Sequence, residues 1–198
     1  MQAGDGDHVS VKVGVLALQG AVAEHVSALA ACGVDVVAVK RVQHLEGLRG
    51  LVIPGGESTT VSKLMATYGL DEAIVGAVER GMGLFGTCTG LILMAKEVDG
   101  QDQAGLQLVD IAVRRNAYGR QVDSFEECLD IPVLGPEPFR AVFIRAPYIS
   151  RLWGDAKELA AEHGRVVLAQ QGKMLVAAFH PELTEDLRIH RYFLTMLD

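Results

Sequence analysis

The sequence has little of what marks several common classes of protein. It carries 18 lysines and arginines against 25 aspartates and glutamates, a net charge of −7, and so offers no basic surface for nucleic acid or anionic membranes. No apolar run approaches the length of a membrane span. Aromatic residues make up only 6% of the chain. We therefore expect neither nucleic acid nor a membrane among its partners.

Cysteine is also scarce. The three cysteines, Cys32, Cys88 and Cys128, are odd in number and far apart, which excludes a disulfide framework and a CxxC metal site. The first eight residues, MQAGDGDH, lack the basic-then-apolar order of a signal peptide. We expect a cytoplasmic protein without a bound metal.

The remaining composition is that of a folded domain. Hydrophobic residues make up 49% of the 198 residues and charged residues 22%, which excludes disorder for the bulk of the chain. The length fits one domain with a full core. We expect residues 1–9 to be a disordered tail and residues 10–198 a single domain.

The order of apolar patterns predicts an α/β fold. In the first half, short apolar runs typical of buried strands alternate with helical patterns, which favours a mostly parallel sheet covered by helices on both faces. This half is predicted to have strands at 11–18, 34–40, 51–53 and 82–86. Its helices are predicted at 21–32, 58–67 and 90–96, and a further helix is predicted to begin with Asp71 as its N-cap. The second half is predicted to have strands at 106–114, 125–131, 139–145, 165–171 and 174–179, with a last helix starting at Thr184 as N-cap.

One segment has the pattern of a nucleophile elbow. Gly86-Thr87-Cys88-Thr89-Gly90 lies between a predicted strand and a predicted helix, with cysteine where the GxSxG motif has serine. The flanking glycines remove side chains that would clash in so sharp a turn, and the free N–H groups of the next helix favour a thiolate. We expect Cys88 to be a nucleophile. Cys32 and Cys128 lack this context and are expected to be packing residues.

His180-Pro181-Glu182 offers the base that a cysteine nucleophile needs. Residues two apart in an extended chain point to the same side, so Glu182 can bind one imidazole nitrogen of His180 while the other faces the thiol. A turn histidine before a helix-initiating acid has the same pattern. The presence of the elbow favours the catalytic interpretation.

A glycine pair follows the third predicted strand. Gly55 and Gly56, in Pro54-Gly55-Gly56-Glu57-Ser58-Thr59, expose backbone N–H groups suited to an oxyanion hole. No Gly-Lys-Ser/Thr follows, which excludes a phosphate loop. Gly81–Gly86 matches GxGxxG, but it runs from a helix into a strand, the reverse of a dinucleotide site. The four remaining histidines are not spaced like metal ligands, and we expect them at the surface or in contact with the residues that form the site: His25, His44, His163 and His190.

Together these residues resemble the class I, or triad, glutamine amidotransferases, and within them the glutaminase subunits of two-component pyridoxal 5′-phosphate synthase. The resemblance runs from about residue 11 to residue 197. It rests on the strings GVLALQGAVAEH (14–25), PGGESTT (54–60), GTCTG (86–90), RNAYGRQVDSF (115–125), FIRAP (143–147) and FHPELTED (179–186). It implies a flavodoxin-like three-layer α/β/α sandwich.

The resemblance also implies a role for each matching residue. Cys88 would be the nucleophile, His180 the acid and base, and Glu182 the residue that orients it. The residues implied to bind glutamine and its oxyanion are Gly55, Gly56, Glu57, Ser58, Thr89, Arg115, Ile144 and Arg145. Gln19 falls where the family meets its partner subunit. Thr89 departs from the alanine usual in the family, which leaves its backbone N–H in place.

The implied activity is hydrolysis of L-glutamine to L-glutamate and ammonia, with no metal or organic cofactor. The ammonia would pass to a TIM-barrel pyridoxal 5′-phosphate synthase subunit, in a hetero-oligomer on a dodecameric core. Two alternatives stay open at this point. One is a glutaminase that serves another synthase, such as that of histidine biosynthesis. The other is a non-catalytic binding module with the same fold.

Overall fold

The computed structural model describes residues 11–99, 105–115 and 124–198. The expected tail at 1–9, most of the polar loop at 99–105 and residues 116–123 of the RNAYGRQVDSF string lie outside the described residues. In the part that the structure describes, no helix is both long and apolar enough to cross a membrane.

Strands and helices alternate in the first half of the chain, as the apolar pattern predicts. The described strands are β1 (Lys12–Leu16), β2 (Asp35–Val39), β3 (Gly50–Ile53), β4 (Gly83–Thr87), β5 (Ala95–Val98), β6 (Val109–Arg114), β7 (Ser124–Leu129), β8 (Phe139–Ile144), β9 (Tyr148–Leu152), β10 (Lys157–Glu162), β11 (Arg165–Gln171) and β12 (Met174–Ala177). The helices are α1 (Val22–Ala31), α2 (Ser58–Tyr68), α3 (Leu70–Glu79), α4 (Thr89–Met94) and α5 (Arg188–Thr195).

The main sheet has a parallel core. Its strands run in the order β2-β1-β3-β4-β12-β11-β9-β6-β5, and β10 adds to β11. The five strands from β2 to β12 are parallel neighbours, while β11 and β9 run antiparallel to the strands beside them. β7 and β8 form a separate antiparallel pair. The expected α/β sandwich with a mostly parallel central sheet is confirmed.

Helices cover both faces of this sheet. Two successive residues of β4 lie on the two faces of the sheet, because successive side chains of a strand point in opposite directions. Phe85 packs against Phe193 of α5, on the face that α1 shares. Gly86, on the other face, touches α4: a Cβ there would lie 2.6 Å from the Met94 sulfur. The sheet is thus the middle of three layers.

Two helix starts differ from the sequence prediction. Gly69, with φ of +64°, ends α2 and leads directly into α3, so Asp71 lies in the first turn of α3 and is not its N-cap. The last helix begins at Arg188 and not near Thr184. Thr184 instead closes a turn: its hydroxyl donates to the Pro181 carbonyl and accepts from the Asp186 N–H. The Asp186 carboxylate accepts the Arg188 N–H at 3.0 Å where α5 begins.

Three strands were absent from the prediction. Residues 95–98, of which the first two were expected to end a helix, form β5 because they pair with β6. β9 and β10 were not indicated at all. Lys157–Glu162 reads KELAAE, a composition that favours helix in isolation, and pairing with β11 overrides that preference.

The contact between α4 and β3 generates a stability prediction. A Cβ at Gly90 would lie 2.3 Å from the Ile53 carbonyl oxygen, whereas at Gly76 in α3 it would meet only the flexible end of Arg80, at 3.2 Å. We expect Gly90→Ala to lower the free energy of unfolding by about 1–3 kcal/mol. Gly76→Ala, the matched helical control, should raise it by about 0.5–1 kcal/mol. Urea unfolding measures both, and a stabilised Gly90→Ala would contradict the packing described.

Candidate active site

Cys88 occupies a sharp turn between β4 and α4. Its φ of +49° lies in the left-handed region that a side chain rarely adopts. A Cβ at Gly86 would lie 2.5 Å from the carbonyl carbon of Gly90, and one at Gly90 would meet the Ile53 carbonyl. Neither glycine can therefore carry a side chain without displacing backbone. The turn has the strand–turn–helix geometry of a nucleophile elbow.

The surroundings of Cys88 leave its sulfur available. The Cys88 N–H donates to the Ala177 carbonyl at 2.8 Å, so this N–H is occupied. The sulfur lies 4.0 Å from the Ile144 carbonyl oxygen, a weak contact. The next N–H, that of Thr89, belongs to the first turn of α4, where backbone donors have no acceptor within the helix.

His180 stands between Cys88 and Glu182. Its Nδ1 lies 2.7 Å from Oε1 of Glu182, and its ring and the Cys88 side chain both pack around Gly55. All three residues are less than 10% exposed. Gly55 packs against the ring, because a Cβ there would lie 2.3 Å from Cε1 of His180. The structure therefore places the three residues of the predicted triad in one line of contacts.

The electrostatics of this line favour a charged imidazole. Burial by itself lowers the pKa of His180, but hydrogen bonds and charges from Cys88 and Glu182 outweigh it and raise the pKa to about 10. At neutral pH the imidazole is therefore protonated. An imidazolium beside a cysteine sulfur is the arrangement that activates cysteine nucleophiles.

A cavity of about 400 Å³ opens in front of the sulfur. Each predicted site residue lines this cavity except Glu182, which lies behind His180. Its lining residues are Gln19, Gly20, Ala21, Gly55, Gly56, Glu57, Ser58, Cys88, Thr89, Ile92, Arg115, Ile144, Arg145, Pro147 and His180. The volume suits a small polar molecule.

Three polar side chains give this cavity its binding capacity. The Ser58 hydroxyl is buried without a hydrogen-bond partner among the described residues. Arg145 has φ of +42°, a strained backbone for an arginine, and is exposed at the cavity. Arg115 lines the same cavity; hydrogen bonds from Thr60 are the main cause of the lowered pKa of the Glu57 carboxyl, and the charge of Arg115 adds to their effect. The two guanidinium groups can hold a carboxylate.

The predicted glycine pair is held by hydrogen bonds on several sides. The Gly55 carbonyl accepts from the Ala21 N–H at 3.0 Å. The Gly56 carbonyl accepts from the Thr89 hydroxyl at 2.5 Å. The next N–H, that of Glu57, donates to Oε1 of Gln19 at 2.7 Å. The Glu57 carboxylate also caps α2 by accepting the Thr60 N–H at 2.8 Å.

Sequence reasoning missed part of this site and misplaced one cysteine. Nothing in the sequence pattern indicated that Ala21, Ile92 and Pro147 line the cavity, because they are brought there by separate elements.

Cys128 is exposed on β7, so its assignment as a packing residue was wrong. Its strand belongs to the small β7–β8 pair, whose residues 126–128 all face solvent. Among the described residues, no group of three or more His, Cys, Asp or Glu side chains is arranged to hold a metal ion.

Comparison with known proteins agrees with this geometry. Residues 15–198 match the family model of the SNO glutamine amidotransferases. The chain belongs to the SNO glutamine amidotransferase family. It is 59% identical over 184 residues to the pyridoxal 5′-phosphate synthase subunit PdxT of Pelotomaculum thermopropionicum, which covers 93% of this chain and 94% of that protein. The PdxT subunit of Desulforamulus reducens is 56% identical over 185 residues, covering 93% and 98%.

Solved structures support the same family. A crystal structure titled as a glutamine amidotransferase has a TM-score of 0.89 and 49% identity, covering 93% of this chain and 98% of the other. The structure of PurLQS from Thermotoga maritima has a TM-score of 0.67 at 16% identity, covering 96% and 100%, and shows likeness of fold only. The family resemblance drawn from the sequence is confirmed.

The line of contacts from Cys88 to Glu182 generates a pH prediction. Glu182→Gln removes a charge that raises the pKa of His180, so the imidazolium that holds the thiolate becomes less stable. We expect alkylation of Cys88 at pH 6.5 to slow about tenfold or more, because one pKa unit corresponds to ~1.4 kcal/mol. At strongly alkaline pH the two proteins should converge, since the thiolate then forms without help. Peptide mass spectrometry of Cys88 after timed iodoacetamide treatment measures the rates.

Glu185→Gln is the matched control, because Glu185 is exposed and close in sequence to Glu182. It should leave the alkylation profile unchanged. A Glu182→Gln protein with the wild-type profile would show that Glu182 does not set the charge of His180.

Proposed function

We propose that the chain is the glutaminase subunit of a pyridoxal 5′-phosphate synthase. It hydrolyses L-glutamine to L-glutamate and ammonia, and the ammonia is used by the synthase subunit. The observation that carries the proposal is the 59% identity, over nearly the whole of both chains, to a protein named as such a subunit. A glutaminase of another synthase would lack this identity, and a non-catalytic module would not need the buried Cys88–His180–Glu182 contacts.

In the proposed binding mode, glutamine enters the cavity with its side-chain amide toward Cys88. Arg115 and Arg145 hold its α-carboxylate. Glu57, the only acidic residue among the described lining residues, lies where it can meet the α-ammonium group. The buried Ser58 hydroxyl, which has no hydrogen-bond partner among the described residues, gains one from the substrate.

Hydrolysis then follows in two steps. The Cys88 thiolate attacks the amide carbon of the glutamine side chain, and the backbone N–H groups of Gly56 and Thr89 stabilise the oxyanion. His180 gives its proton to the amide nitrogen, and ammonia leaves a γ-glutamyl thioester. A water molecule gives one proton to His180 and attacks the thioester, which releases glutamate and restores Cys88. Glu182 holds His180 in place and stabilises its charge throughout.

The partner in this proposal is a TIM-barrel synthase subunit, in a hetero-oligomer on a dodecameric core. We also propose a cytoplasmic location, because a catalytic thiol requires a reducing compartment and all three cysteines are free. The contacts of the glycine pair suggest how the partner could act. Gln19 is exposed and holds the Glu57 N–H. A subunit that binds the loop after β1 would therefore shift the Gly55–Gly56 backbone through this hydrogen bond.

The first test of this function concerns the nucleophile. Cys88→Ala should abolish glutamine hydrolysis and leave the fold intact, as judged by circular dichroism and thermal unfolding. A glutamine analogue that alkylates thiols should modify Cys88 and spare Cys32. Cys128 is exposed and is the sharper control, because it is accessible to the analogue and lacks the glutamine-binding cavity that speeds the reaction at Cys88. Labelling of Cys128 at the rate of Cys88, or residual hydrolysis by Cys88→Ala, would refute the assignment.

The second test concerns control by the partner. We expect the isolated subunit to be a poor glutaminase and the synthase subunit to activate it, because ammonia without an acceptor is wasted. A tenfold activation requires only about 1.4 kcal/mol of differential binding. Gln19→Ala removes the side chain that joins the β1 loop to Glu57, and should reduce the activation by saturating synthase subunit.

Gln43→Ala is the control for this test, because Gln43 is an exposed glutamine outside the cavity. It should be activated like the wild type. Full activity of the isolated wild-type subunit would refute activation by the partner. Normal activation of Gln19→Ala would show that Gln19 takes no part in it.

A further inference from the structure

Behind Glu182 lies a buried histidine that the steps above do not use. His25, in α1, is 0% exposed. Its Nε2 lies 3.3 Å from Oε2 of Glu182 and 3.1 Å from the Thr87 hydroxyl. Its Nδ1 lies 3.1 Å from Nε2 of His190, in α5. One fully buried imidazole thus contacts β4, α5 and the segment that carries Glu182.

The protonation of this ring follows from its neighbours. Burial, with smaller contributions from His190 and His180, holds the pKa of His25 well below its usual value. Burial lowers the pKa of His190 to about 4. Both rings are therefore neutral at physiological pH, and each carries a single N–H.

The position of that N–H is set by Glu182. Oε2 of Glu182 is buried and makes no hydrogen bond within the described residues, and Nε2 of His25 lies 3.3 Å from it. A lone pair on Nε2 of His25 would face this carboxylate oxygen and repel it, whereas an N–H there compensates the burial of the charge. The hydrogen therefore sits on Nε2. The Nδ1 lone pair then accepts the Nε2–H of His190, which holds this tautomer.

We propose that His25 is a positioning residue for the triad: its Nε2–H, 3.3 Å from Oε2 of Glu182, stabilises that buried carboxylate oxygen and fixes the carboxylate so that Oε1 faces His180. The inference rests on the proposed glutaminase function and assigns a fourth side chain to the same site. Outer contacts of this kind orient the groups that do the chemistry and maintain their charge.

The same ring also joins the triad to the glycine pair. The Thr87 hydroxyl, within reach of Nε2 of His25, accepts the Gly55 N–H at 3.1 Å. Gly55 in turn packs against the His180 ring. Loss of the His25 ring thus affects His180 through Glu182 and, by way of Thr87, through Gly55.

The test compares three substitutions of His25. Gln places an amide N–H near the position of Nε2, Asn places one near Nδ1, and Leu removes the donor while filling much of the space. We expect His25→Leu and His25→Asn to lose about 10- to 100-fold in kcat with KM little changed, the range known for such outer partners. His25→Gln should recover most of the loss. His163→Gln, at an exposed histidine, is the control and should behave as wild type.

Two readouts separate this inference from the proposed function. Glutaminase activity with the synthase subunit tests both, whereas the pH profile of Cys88 alkylation reports on the triad whether or not glutamine is the substrate. We expect His25→Leu and His25→Asn to shift the pH profile of Cys88 alkylation toward alkaline pH, and His25→Gln to leave it unchanged. If wild type hydrolyses no glutamine, the proposed function fails and the alkylation profile still decides the role of His25.

Thermal unfolding of each variant detects a purely structural effect. If His25→Leu fails to fold, the comparison of Gln with Asn decides. Equal profiles for Gln and Asn, or a wild-type profile in a folded His25→Leu, would overturn the proposal.

Discussion

The left-handed turn at Cys88 is the constraint on which the rest of the site depends. It exists because α4 packs directly on β3 through Gly90, and because Gly86 lets the helix backbone come close to β4. The strand register then brings the other groups to the same edge. β4 pairs in parallel with β3 (Gly86 beside Ile53) and with β12 (Thr87 beside Ala177). The residues that follow these strands, the Gly55–Gly56 pair and His180, therefore meet at the sulfur.

The charges of the site form an ordered buried sequence. The Cys88 sulfur, an imidazolium, the Glu182 carboxyl group and a neutral imidazole follow one another from Cys88 to His25. An isolated charge at any of these positions would be costly to bury. Against the effect of burial, contacts with Cys88 and Glu182 raise the pKa of His180, whereas burial, with smaller contributions from His190 and His180, lowers the pKa of His25.

The sequence predicted those parts of the protein that depend on local pattern. The GxCxG turn, the glycine pair and His-Pro-Glu each join a strand to a following helix or turn, so neighbouring residues fix their geometry. β10 escaped prediction because pairing with β11 overrides the helical composition of Lys157–Glu162. The role of His25 also lay outside local pattern, since its contact with His190 spans 165 residues of chain. Exposure of Cys128 depends on the place of β7 at the outside of the β7–β8 pair, where residues 126–128 face solvent.

The central claim is that Cys88, activated by His180 and Glu182, forms a covalent bond with the glutamine side chain. Acid quenching during steady-state turnover with the synthase subunit, followed by peptide mass spectrometry, tests it most directly. The account predicts a γ-glutamyl thioester on the Cys88 peptide that disappears when glutamine is exhausted and is absent from Cys88→Ala. Continued glutamine hydrolysis with the adduct on Cys32 or Cys128, or by Cys88→Ala itself, would contradict it.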